Sequence, residues 1–452
     1  MIRGEPAKTV SLAKVGRRKG VGDSRIPCPR ERRAMPDTPT LATPQLNAVI
    51  KAGVAEELLH GEANPLWARL REVGTEPWLD TGDMDEASRL WSNEFTALTT
   101  NNTLLNREIQ KGIYDAWIPE AAAAVKADRP EISAQDLVLE IAFALNARHG
   151  LRLVERFGAY VSVELHTDLA LDVERSLAYG RRYAALCDKF IVKVPLTPQG
   201  LIAARLLEED GINVNFTLGF SARQNFLVTC VARPSWVNIF LGRLNAYASG
   251  EGLGDGAWVG ERTLWASQSA VRELRESIGA PTRQIAASMR MGDQVATLAG
   301  SDVYTMPIGV AEGFLASDPT VDQLQDCSGL DYQPTWAEGI NPDVEGVNEL
   351  WEVDERFRDV CLELAARDVD QLSAESVLSA LDDAGFSGIF PRLQGEELET
   401  LVAQGKAPKR LTWQDQIANG SYGLDGLFTL AGLHAFAQDQ AELDERIRLQ
   451  LG

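Results

Sequence analysis

Three ionisable side chains stand inside apolar stretches of the chain, where charged residues are unusual. Lys193 lies within DKFIVKVPLTPQG (188–200), Glu164 within VSVEL, and Asp80 directly after the apolar PWL. An unpaired buried charge costs several kcal/mol, so such residues are either paired or used for chemistry. A desolvated lysine can attack a carbonyl as a neutral nucleophile and form a Schiff base. Two carboxyl groups in different environments can divide the proton transfers that this chemistry needs.

Each of these residues also has a structural interpretation. Lys193 can be the ion-pair partner of Glu164 or Asp80, and buried ion pairs also perturb pKa values. Asp80 can cap the helix that follows it, as can Asp83. Asn101 and Thr217 can satisfy loop backbone, and Arg290 can balance the acidic surface. Thr99, Asn215 and Ser288 are further polar residues on or beside apolar runs. The residues alone leave both interpretations open.

Short apolar runs alternate with segments of helical period along most of the chain, which predicts a parallel sheet covered by helices. The predicted strands lie at 77–81, 97–100, 159–165, 189–195, 212–218, 236–240, 283–288 and 302–308. Eight β–α units favour an α/β fold of the closed (β/α)8 TIM-barrel type. The alternative, an open doubly wound sheet, would be expected to carry a phosphate-binding GxGxxG after its first strand, and the sequence has none there.

The flanking segments predict one barrel domain at 41–452, preceded by a basic tail at 1–40. The tail lacks a periodic apolar face, so we expect it to be disordered, or translation to begin at Met35. A helical lead-in is predicted at 45–59 and 66–73, and a glycine-rich loop at 250–260. After about residue 310 the alternation stops. A helical insertion is predicted at about 320–410, with helices at 347–366, 374–383 and 396–404, and a C-terminal helix at about 424–450.

Composition excludes several classes of protein. A net charge of −21 and a pI near 4.7 argue against binding to nucleic acid or to anionic membranes. Five scattered cysteines without a CxxC predict reduced thiols, and four histidines without metal-ligand spacing predict no metal site. No apolar run approaches the ~20 residues of a membrane span. We therefore expect a cytoplasmic protein.

Six motifs occur in an order that resembles the transaldolase family, the class I Schiff-base aldolases of the pentose phosphate pathway. They are LDTGD, LTTNNTLL, VSVEL, VKVPLTPQGLIAARLLEEDGINVNFTLGFS, NIFLGRL and ASMRM, between about residues 75 and 310. The final helix, with GLHAFAQDQAELDERI, is also similar. Any one of these motifs is weak evidence, but six in order together favour the resemblance.

The resemblance implies a role for each motif residue. Lys193 would be the Schiff-base nucleophile, Glu164 would work with a bound water, and Asp80 would be the acid and base of C–C cleavage. Substrate would be bound by Thr99, Asn101, Asn215, Thr217, Asn238, Phe240, Arg243, Ser288 and Arg290. Of these, the two arginines and the serine would hold phosphate. The sequence departs from the family pattern at Asn102, a proline in the family, and at Asn238, a serine in the family.

The implied reaction transfers a dihydroxyacetone unit from sedoheptulose 7-phosphate or fructose 6-phosphate to glyceraldehyde 3-phosphate or erythrose 4-phosphate. It would need sugar phosphates as partners and no cofactor, in a monomer or homodimer. One alternative is a fructose 6-phosphate aldolase, although some such relatives carry tyrosine where Glu164 stands. A catalytically silent barrel that acts as a binding protein is another. A glycoside hydrolase using Asp80 and Glu164 would leave Lys193 without a purpose.

Overall fold

Eight parallel strands form a closed barrel in chain order in the computed structural model, which describes residues 43–452. The strands are β1 (Glu76–Asp80), β2 (Ala97–Thr99), β3 (Tyr160–Glu164), β4 (Phe190–Pro195), β5 (Val214–Thr217), β6 (Trp236–Phe240), β7 (Arg283–Ala287) and β8 (Val303–Pro307). Because β8 pairs with β1, the sheet has no free edge. The predicted (β/α)8 TIM barrel is confirmed, and each strand lies on the apolar run that predicted it.

Two helices precede the barrel and eleven surround it. They are α1 (Pro44–Lys51), α2 (Pro65–Glu72), α3 (Met84–Leu90), α4 (Asn102–Gln110), α5 (Ile118–Asp128), α6 (Ala134–Phe157), α7 (Val173–Leu186), α8 (Pro198–Glu209), α9 (Ala222–Val231), α10 (Leu241–Gly250), α11 (Val259–Ile278), α12 (Asp293–Thr297) and α13 (Ile308–Ala316). The prediction of one helix over 45–59 was wrong at its end. Helix α1 stops at Lys51, since Gly53 takes a left-handed φ of 64° and turns the chain away.

Hydroxyl and amide side chains at the carboxyl ends of the strands start several of these helices. The Thr197 hydroxyl accepts a hydrogen bond from the Gly200 amide (2.8 Å) at the start of α8, and Pro198 occupies the first turn. Ser221 caps α9 in the same way. These caps keep the β–α connections short, so the residues at the strand ends are held firmly at one end of the barrel.

The chain beyond the barrel folds into five further helices: α14 (Glu355–Ala365), α15 (Ala374–Asp383), α16 (Glu396–Ala403), α17 (Arg410–Ala418) and α18 (Leu424–Leu451). Helix α14 packs on α9, α15 on α8, and α16 on α18. The single helix predicted at 347–366 was wrong. A short 3₁₀ turn (Asn348–Leu350) precedes α14, whose start is set by the capping side chain of Asp354.

Two other boundaries of this C-terminal region differ from the prediction. Helix α13 completes the eighth β–α unit, so the alternation continues past residue 310. Helix α17 was not predicted, and it extends the insertion to Ala418. Helix α18 agrees with the predicted C-terminal helix and packs along α4 and α6.

Two tryptophans fill the barrel interior below the polar residues. The rings of Trp78 and Trp236 are fully buried and meet edge to face, with centroids 5.2 Å apart. Side chains two positions apart on a strand share a face, so Asp80 at the end of β1 and Asn238 in the middle of β6 lie above these rings. The two tryptophans therefore close the barrel below Asp80 and Asn238, and the barrel is open above these two residues.

The structure does not test the predictions for the N-terminal tail or for the domain division. The predicted tail at 1–40 and the alternative start at Met35 lie outside the described residues. The assignment of 41–452 to one domain stays a prediction. Of the helices within residues 43–452, none is both long and apolar enough to cross a bilayer.

Candidate active site

A cavity of about 160 Å³ opens at the carboxyl ends of the strands and gathers most of the residues singled out from the sequence. Ten of the twelve line it: Asp80, Thr99, Asn101, Lys193, Asn215, Asn238, Phe240, Arg243, Ser288 and Arg290. Glu164 lies immediately behind the lysine, and Thr217 is buried at the end of β5 without lining the cavity. In TIM barrels this face carries the reactive groups.

Lys193 is held between two neighbouring strands with its amine facing the cavity. Glu164, Lys193 and Asn215 are direct register partners across β3, β4 and β5, so their side chains share the inner face. The lysine is 4% exposed. Its Nζ donates to the Thr100 carbonyl oxygen at 3.2 Å and lies 3.8 Å from Glu164 Oε2. Within residues 43–452 that carbonyl is the one hydrogen-bond acceptor in reach, which leaves the amine with N–H capacity for a ligand.

Glu164 is a buried carboxyl group with a weakened tendency to ionise. Burial raises its pKa above the ordinary carboxyl value, although the charge of Lys193 and a hydrogen bond from the Asn102 amide (3.2 Å) oppose the shift. Behind it lies a second, small cavity of about 10 Å³, close to the size of one water molecule. Its polar lining residues include Asn146, His166, Tyr183 and Gln440. Glu164 thus stands between the amine and a water-sized polar space.

Asp80 is the second carboxyl group, and it does not cap a helix. Asp83 caps α3 by accepting from two backbone amides at 2.9 Å, so the capping interpretation applies to Asp83 alone. Asp80 Oδ1 instead accepts from the Thr99 hydroxyl at 2.6 Å, and that hydroxyl also contacts the Thr305 hydroxyl. Burial raises the pKa of Asp80 against the opposing charge of Lys193. Asp80 therefore faces the cavity as a carboxyl group that ionises less readily than an exposed one.

Some amide and hydroxyl groups around the lysine make hydrogen bonds within the fold, and others have no partner among the described residues. Asn101 caps α4 by accepting from the Leu104 amide at 2.8 Å, as the structural interpretation of this residue requires. Asn215 Nδ2 donates to the Ser162 hydroxyl at 3.2 Å. Among the described residues, neither Asn215 Oδ1 nor Thr217 Oγ1 has a hydrogen-bond partner. Such buried groups cost about 1–3 kcal/mol each when unsatisfied, and they are typical of sites that a ligand completes.

Two guanidinium groups form the other wall of the cavity, and neither is in an ion pair within residues 43–452. They belong to Arg243 and Arg290, and in the same part of the chain Arg243 Nη1 is buried without a partner. The Arg243 guanidinium instead lies 5.0 Å from the Phe240 ring centroid and 5.7 Å from that of Phe436. Burial, assisted by the charge of Arg290, lowers the pKa of Arg243 to about 10. Two neighbouring cations that lack ion-pair partners are the expected features of an anion site.

Gly242 allows the start of α10, which carries Arg243, to lie close to the loop that carries Ser288 and Arg290. A Cβ at this position would lie 2.0 Å from the Ser288 carbonyl oxygen and 2.7 Å from Arg290 Cγ. Ser288 itself has a φ of 62°, which turns the chain after β7 toward α10. A side chain on Gly242 would therefore force the Ser288 loop away from Arg243.

We expect Gly242→Ala to weaken the binding of inorganic phosphate by about tenfold and to destabilise the fold by about 1–3 kcal/mol, as overpacking does. Titration calorimetry with phosphate and chemical unfolding measure the two effects. Gly250→Ala, at the end of the same helix where a Cβ meets nothing within 4 Å, is the matched control and should leave both unchanged. Normal phosphate binding by Gly242→Ala would contradict this role of the close approach.

Several cavity residues were not predicted from the sequence. Thr305 is a polar residue within the apolar strand β8. A polar residue in an apolar run is the same signal that identified Asp80, so Thr305 could have been predicted in the same way. Met289 lies between two residues that were identified. Phe436 on α18 and Lys406 between α16 and α17 have no local signal, because only the folding of the C-terminal region brings them to the barrel.

The fold and the site together define a TIM-barrel enzyme with a lysine, two carboxyl groups and two arginines at the carboxyl ends of its strands. Residues 77–364 match the model of the Transaldolase/Fructose-6-phosphate aldolase family. The chain belongs to this family, as its motifs predicted. The match ends within α14, so most of the C-terminal helical region lies beyond it.

Individual relatives agree with this assignment. A protein named probable transaldolase from Thermus thermophilus is 34% identical over 247 residues, which are 53% of this chain and 90% of the relative. A probable transaldolase from Hydrogenobaculum is 33% identical over 224 residues, covering 48% and 87%. A transaldolase from Xanthomonas euvesicatoria is 29% identical over 246 residues, covering 53% and 74%.

Proposed function

We propose that this chain is a transaldolase that transfers a dihydroxyacetone unit between sugar phosphates through a Schiff base on Lys193. The observation that carries the proposal is the buried lysine amine, 3.8 Å from Glu164 and in one cavity with Asp80. Family membership and the relatives named transaldolase support the same reaction class.

Formation of the imine would begin with attack of Lys193 Nζ on the ketone carbon C2 of the donor. The resulting carbinolamine must lose its hydroxyl as water, which requires a proton at that oxygen. Glu164 is suited to supply this proton, because burial raises its pKa and keeps the carboxyl protonated at a higher pH than a free one. The water-sized cavity on its far side gives the released or attacking water a polar place to bind.

Cleavage and transfer would follow on the same lysine. Asp80 takes the proton of the C4 hydroxyl, the C3–C4 bond breaks, and its electron pair passes into the iminium to leave an enamine on Lys193. The freed aldose phosphate departs and the acceptor aldehyde takes its place. The enamine carbon then attacks the acceptor, Asp80 returns the proton to the new hydroxyl, and water hydrolyses the imine.

Arg243 and Arg290, together with Ser288, would hold the phosphate of donor or acceptor. A guanidinium group suits this purpose because its parallel N–H groups match two phosphate oxygens. The absence of ion-pair partners for both arginines within residues 43–452 supports this role. Bound phosphate would also relieve the mutual repulsion that, together with burial, lowers the pKa of Arg243.

The test that distinguishes transfer from simple cleavage compares fructose 6-phosphate alone with fructose 6-phosphate plus erythrose 4-phosphate. We expect glyceraldehyde 3-phosphate and sedoheptulose 7-phosphate in equal amounts when the acceptor is present, and little product without it. Fast release of free dihydroxyacetone without acceptor would instead assign the chain to the fructose 6-phosphate aldolase activity. Absence of product in both assays would favour a catalytically silent barrel.

A further inference from the structure

The C-terminal helical region contributes a lysine to the cavity. Lys406 lies in the loop between α16 and α17 and lines the same cavity as Lys193, Arg243 and Arg290. It lies beyond the stretch that matches the family, which ends at residue 364. The lysine is exposed, so its amine remains hydrated at the cavity opening.

Hydrogen bonds within the loop and to the end of α10 fix the loop that carries Lys406. Gln404 Oε1 accepts from the Lys409 amide and from Trp413 Nε1, both at 2.8 Å. Lys409 Nζ donates to Glu251 at 2.9 Å, and the Arg410 amide donates to the same carboxylate at 3.0 Å. Glu251 directly follows α10, the helix whose first turn carries Arg243. The loop is therefore anchored to the element that positions the arginine wall.

The charge around Lys406 indicates an anion as the missing partner. Among residues 43–452, Lys406 makes no hydrogen bond and no ion pair, although the chain has 65 acidic residues against 44 basic ones. Arg243 and Arg290 lack ion pairs in the same part of the chain. Three cations that share one cavity, none of them in an ion pair among the described residues, attract an anionic ligand and repel one another in its absence.

We propose that Lys406 is a specificity-determining residue that provides a third cation for the phosphate of the sugar substrate. This inference rests on the proposed function for the identity of the sugar, and on the cavity itself for the phosphate. The ammonium acts as a point charge at the cavity opening, whereas the guanidinium groups provide the directional contacts below. The helical region is thereby a functional part of the substrate site, selecting phosphorylated over unphosphorylated sugars.

The experiment compares Lys406→Met with wild type in the full chain, using fructose 6-phosphate and fructose as donors. We expect kcat/KM for fructose 6-phosphate to fall by about five- to tenfold at low ionic strength, and by less at high salt, because an exposed charge is screened. For fructose we expect a change of less than about twofold, as no phosphate is present to contact. Lys406→Arg keeps the positive charge and should restore most of the loss.

A matched control removes a lysine from the opposite end of the barrel. Lys51, exposed at the end of α1 and near Asp188 before β4, is changed to methionine and should behave as wild type with both donors. If Lys406→Met and Lys51→Met give the same kcat/KM for fructose 6-phosphate, the inference is overturned.

Binding of inorganic phosphate separates this inference from the proposed function. Calorimetric titration with phosphate requires no turnover, and we expect Lys406→Met to bind it about fivefold more weakly than wild type and Lys51→Met. If the wild-type chain forms no Schiff base while this difference remains, the proposed reaction fails and the role of Lys406 stands. If wild type binds no phosphate, or binds it no better than Lys406→Met, the role of Lys406 is excluded.

Discussion

Lys193→Met is expected to lower kcat by about 10⁴-fold or more, because the substitution keeps the length of the side chain and removes the nucleophile. Borohydride added in the presence of fructose 6-phosphate should reduce the imine of the wild-type chain to a stable amine. Peptide mass mapping should then find the added mass on Lys193 and on no other lysine. In Lys193→Met the added mass should be absent.

The control for this result is a second lysine close in sequence. Lys189 immediately precedes β4 at the opposite end of the strand, and its amine donates to the Gly158 carbonyl at 2.6 Å. Lys189→Met should retain trapping on Lys193 and nearly full turnover. Circular dichroism should report a folded barrel for both variants. Trapping on another lysine, or turnover by folded Lys193→Met, would refute the Schiff-base mechanism.

Asp80→Asn is expected to separate imine formation from carbon–carbon cleavage. The amide keeps the shape and the hydrogen bond with Thr99, but it cannot take up the proton of the sugar hydroxyl. Loss of a general base typically lowers the rate by about 10²–10⁴-fold, so turnover should fall by that factor. Trapping of fructose 6-phosphate on Lys193 should remain close to the wild-type amount, since Asp80 is not required for attack on the ketone.

Asp83→Asn provides the comparison, because this nearby aspartate caps α3 and asparagine caps helices equally well. Its turnover should stay within about twofold of wild type. If Asp80→Asn instead loses trapping and turnover in parallel, Asp80 acts in imine formation or in holding Lys193. The division of work between the two carboxyl groups would then be wrong.

The closed barrel also explains why the pKa values of the two carboxyl groups are raised although a lysine stands beside them. Closure removes water from the inner face, and for both Asp80 and Glu164 burial is the largest influence on the pKa. The charge of Lys193 opposes that influence without cancelling it. The site therefore holds two carboxyl groups and one amine within a small volume, the set that the proposed aldol chemistry through an imine requires.

The amino-acid sequence by itself determined the barrel and identified the residues that are proposed to react. Each strand is an apolar run read at a period of two residues, and a buried charge such as that of Lys193 or Glu164 stands out against it because burial is so costly. These signals are local, so all eight strands were predicted correctly, and most of the residues singled out from the sequence line one cavity. The catalytic roles assigned to them stay predictions until the substitutions are made.

Only the tertiary structure decided which distant segments complete the site. The hydrogen bonds of Asp83 show that this residue, and not Asp80, caps α3. The lack of ion-pair partners for Arg243 among the described residues depends on how the surrounding helices pack. Phe436 and Lys406 reach the cavity through the packing of α18 and the anchoring of one loop by Glu251. An amphipathic pattern predicts that a helix has a buried face but does not predict which surface that face packs against. For that reason the barrel was readable from the sequence, whereas the contribution of the C-terminal helices to the site was not.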